Sequence, residues 1–168
     1  MRALVIAHEP DGPAAQIERR LVERGFDVDT HIVTTDYDAP NHAAPFPDLA
    51  DYDLLVPMGS IRSMTEKHVI DAWIHDEIEL VQTAHASEMP ILGVCFGLQL
   101  IADALGGSVE LAPVTEIGWT EIGDGDVPNP VGPGPWMQWH HDRIKPPPGA
   151  EVLARNANAV QMIRIGRT

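Results

Sequence analysis

At 168 residues the chain has room for one domain with a hydrophobic core of its own. Apolar residues make up 44% and charged residues 21%, an ordinary globular balance, while 25 Asp plus Glu against 11 Lys plus Arg leave a formal charge of −14. A surface that negative repels phosphate backbones and anionic lipids, so neither nucleic acid nor a membrane is expected as a partner.

Targeting signals are equally thin. The first apolar run, residues 3–7, is too short for a signal peptide. The longest, residues 89–105, is interrupted by Gly, Gln and Asp and does not suit a bilayer. One cysteine, Cys95, offers no internal disulfide. The compartment these features suggest is the cytoplasm.

In chain order, residues 3–7 are continuously apolar and read as a buried strand. Pro13 opens a helical stretch carrying Ala14, Ile17 and Leu21, which Gly25 ends. Phe26, Val28, Thr30 and Ile32 alternate with polar residues, as in a strand nearer a sheet edge. Residues 34–47, rich in Asp, Ala and Pro, read as a loop. A third strand over 52–56 runs into Pro57-Met58-Gly59-Ser60, and Ile70, Trp73, Ile74, Ile78 and Val81 form the stripe of a long helix. Residues 91–95 give a fourth strand, and a helix from about Gly97 to Leu105 stops at Gly106-Gly107. This alternation predicts an α/β fold with a mainly parallel sheet flanked by helices, flavodoxin-like in layout. Beyond Gly107 the pattern changes to short strands at 108–111, 116–122, 136–139, 151–154 and 159–165, a β-rich C-terminal half of the same domain.

The segment that carries chemistry is Gly93-Val94-Cys95-Phe96-Gly97-Leu98-Gln99, between a predicted strand and a predicted helix. It has the form of a nucleophile elbow, G-x-C-x-G. A side chain on so sharp a turn projects from the C-terminal edge of the sheet, where open α/β folds bind ligands. Glycines two positions either side remove Cβ atoms that would obstruct the turn. The helix N-terminus favours the thiolate, and the amide of Phe96 is placed to donate to a developing oxyanion.

These residues resemble the class I, triad-type glutamine amidotransferases, and the elbow looks like that family's nucleophile motif. Pro57-Met58-Gly59-Ser60 is similar to its oxyanion loop. Glu116-Ile117-Gly118-Trp119 and Trp139-His140-His141-Asp142 resemble the Glu-x-Gly and Ser-His-Gly-Asp segments of stand-alone members and of the GMP synthetase glutaminase domain. The resemblance implies hydrolysis of the glutamine side-chain amide. Cys95 would form a γ-glutamyl thioester, the amides of Gly59 and Phe96 would hold the oxyanion, and Gln99, Trp139 and His140 would bind substrate. No cofactor or metal is implied. The partners implied are glutamine and a synthetase that uses the released ammonia.

Three departures stand out. Leu98 replaces a Gly or His common in relatives, the oxyanion loop has the single glycine Gly59, and the family's His-Pro-Glu is missing from residues 1–168. The chain is therefore expected to lack the His-x-Glu base, to be a truncated version of a longer domain, and to turn over glutamine weakly or not at all by itself. A γ-glutamyl peptide or amide hydrolase, a catalytically dead binding subunit, and a cysteine-elbow redox protein are the rival readings. His68, His75 and His85 read as solvated helix positions rather than metal ligands. Asp51 and Asp53 read as turn residues, Glu116 as a contact to substrate or to a neighbouring loop, or else a surface group, and Trp119, Trp136 and Trp139 as packing for the β-rich half.

Overall fold

A computed structural model describes residues 1–40 and 43–167. It is an α/β structure with two separate sheets. The first sheet has strand order β2-β1-β3, all parallel, from β1 (Arg2–Ala7), β2 (Asp27–Ile32) and β3 (Leu54–Pro57). β1 is central and its residues Ala3 to Ala7 are buried, which accounts for its unbroken apolar run. β2 takes the edge, in keeping with its alternation.

Helix α1 (Gln16–Glu23) starts later than Pro13 suggests, and Gly25 follows it at φ 83°. The loop read over 34–47 pairs Thr34 with Ala43, and its Asn41 and His42 lie outside the described residues. Helix α2 (Asp71–Ala86) buries Trp73, Ile74, Val81 and Ala84 against Leu4, Ile6 and Leu55 of the sheet. Helix α3 (Phe96–Ala104) packs its Phe96, Leu100 and Ile101 into the same core.

The predicted fourth strand is only partly formed. Ile91 bridges Leu55 in the parallel sense, and Leu92 and Val94 donate to the carbonyls of Leu55 and Pro57 at 2.9 and 3.0 Å. The ladder stops there because the chain turns at Cys95.

The second sheet is antiparallel, order β5-β4-β6-β7, from β4 (Ser108–Asp124), β5 (Gly134–Lys145), β6 (Glu151–Arg155) and β7 (Val160–Arg164). The two pieces expected at 108–111 and 116–122 join into the single long β4, with a register shift between Leu111 and Glu116. The tryptophans expected to pack the β-rich half are exposed instead. Trp119 and Trp139 are 75% and 70% exposed, on the outer face of the β4–β5 hairpin beside Ile117 and Met137, and Trp136 is exposed as well. Strand alternation puts Ile122 and Ile144 inward and leaves that outer face uncovered.

Candidate active site

The turn at Cys95 is steep. Cys95 sits at φ 55° and ψ −109°, immediately before α3, a conformation that costs on the order of 1–3 kcal/mol. The two glycines of the motif make it possible. A Cβ on Gly97 would stand 2.0 Å from the Pro57 carbonyl oxygen, and one on Gly93 would meet Ile101 Cδ1 at 2.4 Å and the Gly97 carbonyl at 2.7 Å. α3 thus lies directly on the end of β3, and the Gly97 amide donates to Met58 O at 3.0 Å.

That bond fixes the oxyanion loop beside the nucleophile. Gly59 follows Met58, and a Cβ there would lie 3.6 Å from Cys95 Cβ and 3.9 Å from Sγ. The space next to the sulfur is open because position 59 has no side chain. Ser60 Oγ donates to Glu9 Oε1 at 2.7 Å and accepts from the Arg62 amide at 2.9 Å, so the following turn is tied down too.

The thiol is not a resting thiolate. Cys95 is exposed at the mouth of the site, yet the walls around it strip water from its sulfur and push the thiol above its ordinary value; the Phe96 amide pulls it down, and the Asp142 charge pushes it up again. The helix N-terminus expected to favour the thiolate is outweighed. Alkylation of Cys95 by neutral iodoacetamide should therefore be slow at pH 7 and climb about tenfold per pH unit into the alkaline range, because only the thiolate reacts. A plateau reached below the ordinary thiol range, in a pH–rate series followed by mass spectrometry, would contradict this.

Cys95 opens into a cavity of about 550 Å³ whose walls come from α3, β5 and β7. Leu98 and Gln99 line it from the helix, and His140, Asp142 and Gln161 from the second sheet, with exposed Trp139 at its rim. The expected site residues Cys95, Gln99, Trp139 and His140 thus share one cavity, while Gly59 touches it only through the sulfur. His141 is exposed, its Nδ1 3.1 Å from Thr115 Oγ1.

Glu116 is 5% exposed, which overturns the surface alternative for it. Its carboxylate accepts from Asn156 Nδ2, Asn158 Nδ2 and Gln161 Nε2 at 2.7, 3.1 and 3.0 Å, and lies 3.1 Å from His140 Nε2. His140 Nδ1 donates to Asp142 O at 2.9 Å. Ser63 Oγ donates to Asp142 Oδ2 at 2.5 Å, whereas buried Oδ1 has no partner. Glu116 therefore organises the far wall. Glu116→Ala should cost about 3 kcal/mol in urea unfolding, since three half-buried amide donors lose their acceptor, and a loss under 1 kcal/mol would show the wall stands without it.

Sequence reasoning missed His8 and Glu77. Both side chains are 0% exposed, and the two partners are 69 positions apart, so no local motif joins them. The available signal was a carboxylate on the apolar stripe of α2, between Trp73 and Val81. Residues 1–168 do contain one His-x-Glu, His75-Asp76-Glu77. It cannot act as the base, because His75 points to solvent beside Asp71 while Glu77 turns into the core. His68 is exposed, and among the described residues no three His, Cys, Asp or Glu side chains converge as a metal site.

Over 80 residues, 44% of this chain, the sequence is 44% identical to the GMP synthase [glutamine-hydrolyzing] of Thermomicrobium roseum, and the match spans 15% of that protein's length. A glutamine amidotransferase from Thermotoga maritima superposes with a TM-score of 0.83 at 23% identity, over 99% of this chain and 72% of its own. A glutamine amidotransferase from Methylobacillus flagellatus gives 0.80 at 23% identity, over 98% and 65%. At those identities the two structures speak for the fold alone. The model of the glutamine amidotransferase class-I family matches residues 11–167, nearly the whole chain, and by that match the chain belongs to the class I glutamine amidotransferases.

Proposed function

We propose that this protein hydrolyses the side-chain amide of glutamine through Cys95. The observation that carries the reading is the positive-φ cysteine, with Gly59 open on one side of its sulfur and the cavity on the other. Sγ, once deprotonated, attacks the carboxamide carbon, and the oxygen becomes an oxyanion facing the amides of Gly59 and Phe96. Collapse breaks the C–N bond, and the amine leaves as ammonia after taking a proton, giving a γ-glutamyl thioester. Water then adds to the thioester and releases glutamate and the thiol. Gln99, His140 and Trp139 hold the substrate's polar end.

The thiol's raised position makes a separate base necessary, as does the proton that ammonia must carry away. The family resemblance assigns that base to a His-Pro-Glu following a strand like β7, a motif that residues 1–168 do not contain. The ammonia passes to a synthetase that aminates an acceptor, an expectation supported by the relatives' description as glutamine-hydrolysing GMP synthases.

A diazoketone analogue of glutamine tests the reading. It should alkylate Cys95 at a stoichiometry of one, and millimolar glutamine should protect. Labelling that ignores glutamine, or that falls elsewhere, refutes glutamine as the substrate.

A further inference from the structure

The core behind the site holds a charge pair that the mechanism above does not use. His8, just past the end of β1, and Glu77, in the middle of α2, are both fully buried. His8 Nε2 lies 3.1 Å from each Glu77 oxygen, and Nδ1 lies 3.0 Å from Gly59 O. A carbonyl oxygen only accepts, so Nδ1 donates to Gly59. A carboxylate also accepts, so Nε2 donates to Glu77. The ring is thereby a doubly protonated bridge from the helix to the oxyanion loop. Its face and edge are held by Phe96, centroid to centroid 4.6 Å in an edge-on contact, and by Trp73 at 5.5 Å. Burial by itself would pull His8 down, but the charge and hydrogen bond of Glu77, with Gly59 O and Glu9, carry it above the ordinary histidine value.

Buried pairs of this kind rarely repay their desolvation in stability, and apolar residues of the same volume often serve the core as well. What this pair reaches is specific. Gly59 stands between two fixed carbonyls: Met58 O held by the Gly97 amide, and Gly59 O held by His8. Both peptide planes flanking Gly59 are pinned: the Met58–Gly59 plane, which carries the Gly59 amide hydrogen, by the Gly97 amide, and the Gly59–Ser60 plane by His8. The same imidazole packs on Phe96, the residue that supplies the second donor.

We propose that His8, anchored by Glu77, is a positioning residue that fixes the Gly59–Ser60 peptide, so that the Gly59 backbone cannot rotate and its amide, in the plane held by Gly97, stays aimed at the oxyanion; it acts on the tetrahedral species rather than on bound glutamine. This rests on the glutaminase reading of Cys95. It also explains how a loop with one glycine keeps a defined geometry. The loop's second peptide is fixed by a side chain from the neighbouring strand end instead of by a second glycine.

Glutarate semialdehyde, which lacks the α-amine that would close the glutamate analogue into a cyclic imine, separates the two ideas. Cys95 Sγ adds to its aldehyde carbon, the C=O double bond opens, and the thiol proton goes to the oxygen that sits in the oxyanion hole. In the wild-type protein a Cys95 thiohemiacetal is expected by mass spectrometry and by 13C NMR of labelled aldehyde. If none forms, the reading of Cys95 fails and His8 is not the cause.

If it forms, two variants test the proposal. The double variant H8F/E77L replaces the pair by apolar groups and should keep its melting temperature within a few degrees. It should bind the semialdehyde at least tenfold more weakly while its affinity for glutamate changes less than twofold. Glu77→Gln keeps volume and fold, and should weaken the semialdehyde threefold or more with glutamate again unchanged. Unaltered semialdehyde affinity in a folded double variant overturns the proposal, as does an equal loss for glutamate and semialdehyde. Should the double variant not fold, Glu77→Gln decides by the same two criteria.

Discussion

In a domain that carries the family's His-Pro-Glu base, replacing Cys95 by alanine is expected to abolish glutamine hydrolysis, lowering turnover by on the order of 10⁴-fold or more, with the fold unchanged. The magnitude follows from the role, since removing the nucleophile of a unit that works together removes nearly all the unit contributes. No other thiol exists in the chain to take over. The fold should survive because the strain at φ 55° belongs to the backbone and to Cβ, both retained by alanine, and because the lost sulfur projects into the cavity. The core residues around the elbow, Phe96, Leu100 and Ile101, keep their contacts. Ammonia release from glutamine and a thermal melt check both halves. Residual turnover above 1% in a protein that melts normally would remove Cys95 from the mechanism. A dead subunit, by contrast, would show no difference between the two proteins.

The elbow was legible because each of its residues answers a local demand. Gly93 and Gly97 have no room for Cβ, and Cys95 occupies the one place where a side chain leaves the sheet. Helices α2 and α3 were legible from apolar spacing for the same reason, since a helix buries what it repeats at three and four. The rest depends on pairs far apart in sequence. Glu116 is held by Asn156, Asn158 and Gln161, and His8 by Glu77 and Gly59; nothing near any of these residues announces the partner. Strand lengths in the second sheet were hidden by Pro113 and the irregularity after Leu111, which break the alternation without breaking the strand. The exposed tryptophans show the opposite failure. Their size argued for packing, but a hairpin has two faces and the sequence does not say which of them is covered.

The site joins two different kinds of support. Cys95, Phe96 and Gly59 stand on the parallel sheet and on α3, where backbone contacts near 3 Å allow little adjustment. His140 and Asp142 stand on the antiparallel sheet, where the wall is a network of side-chain hydrogen bonds around Glu116. The first arrangement suits a step that needs fixed donors at one oxygen. The second suits recognition of a substrate's polar groups. Changes on the two sides should therefore read out differently, as lost stability of the tetrahedral species on one and as lost substrate affinity on the other.

Gly97→Ala should be strongly damaging for the addition of a single methyl group. The added Cβ would sit 2.0 Å from Pro57 O, 2.7 Å from Pro57 C and 3.2 Å from Pro57 Cβ. None of these atoms is the end of a flexible side chain. Pro57 closes β3, its carbonyl accepts from the Val94 amide, and its strand is paired with β1, so relief requires α3 to lift off the sheet. That movement would pull Phe96, Leu100 and Ile101 away from Leu4, Ile6 and Leu55. Overpacking against yielding neighbours costs about 1–3 kcal/mol, and with backbone as the obstacle we expect about 3 kcal/mol or more. For a domain of this size the melting temperature should fall by about 10 °C. Helix propensity works the other way, favouring alanine by about 1 kcal/mol, so a clear loss must come from the contact with β3. Gly59→Ala is the control. Its new Cβ would meet nothing closer than 3.6 Å, so stability should hold while the methyl occupies the space beside Sγ. Equal melting temperatures for Gly97→Ala and wild type would mean that α3 does not rest on β3 as described, and the elbow geometry would fall with it.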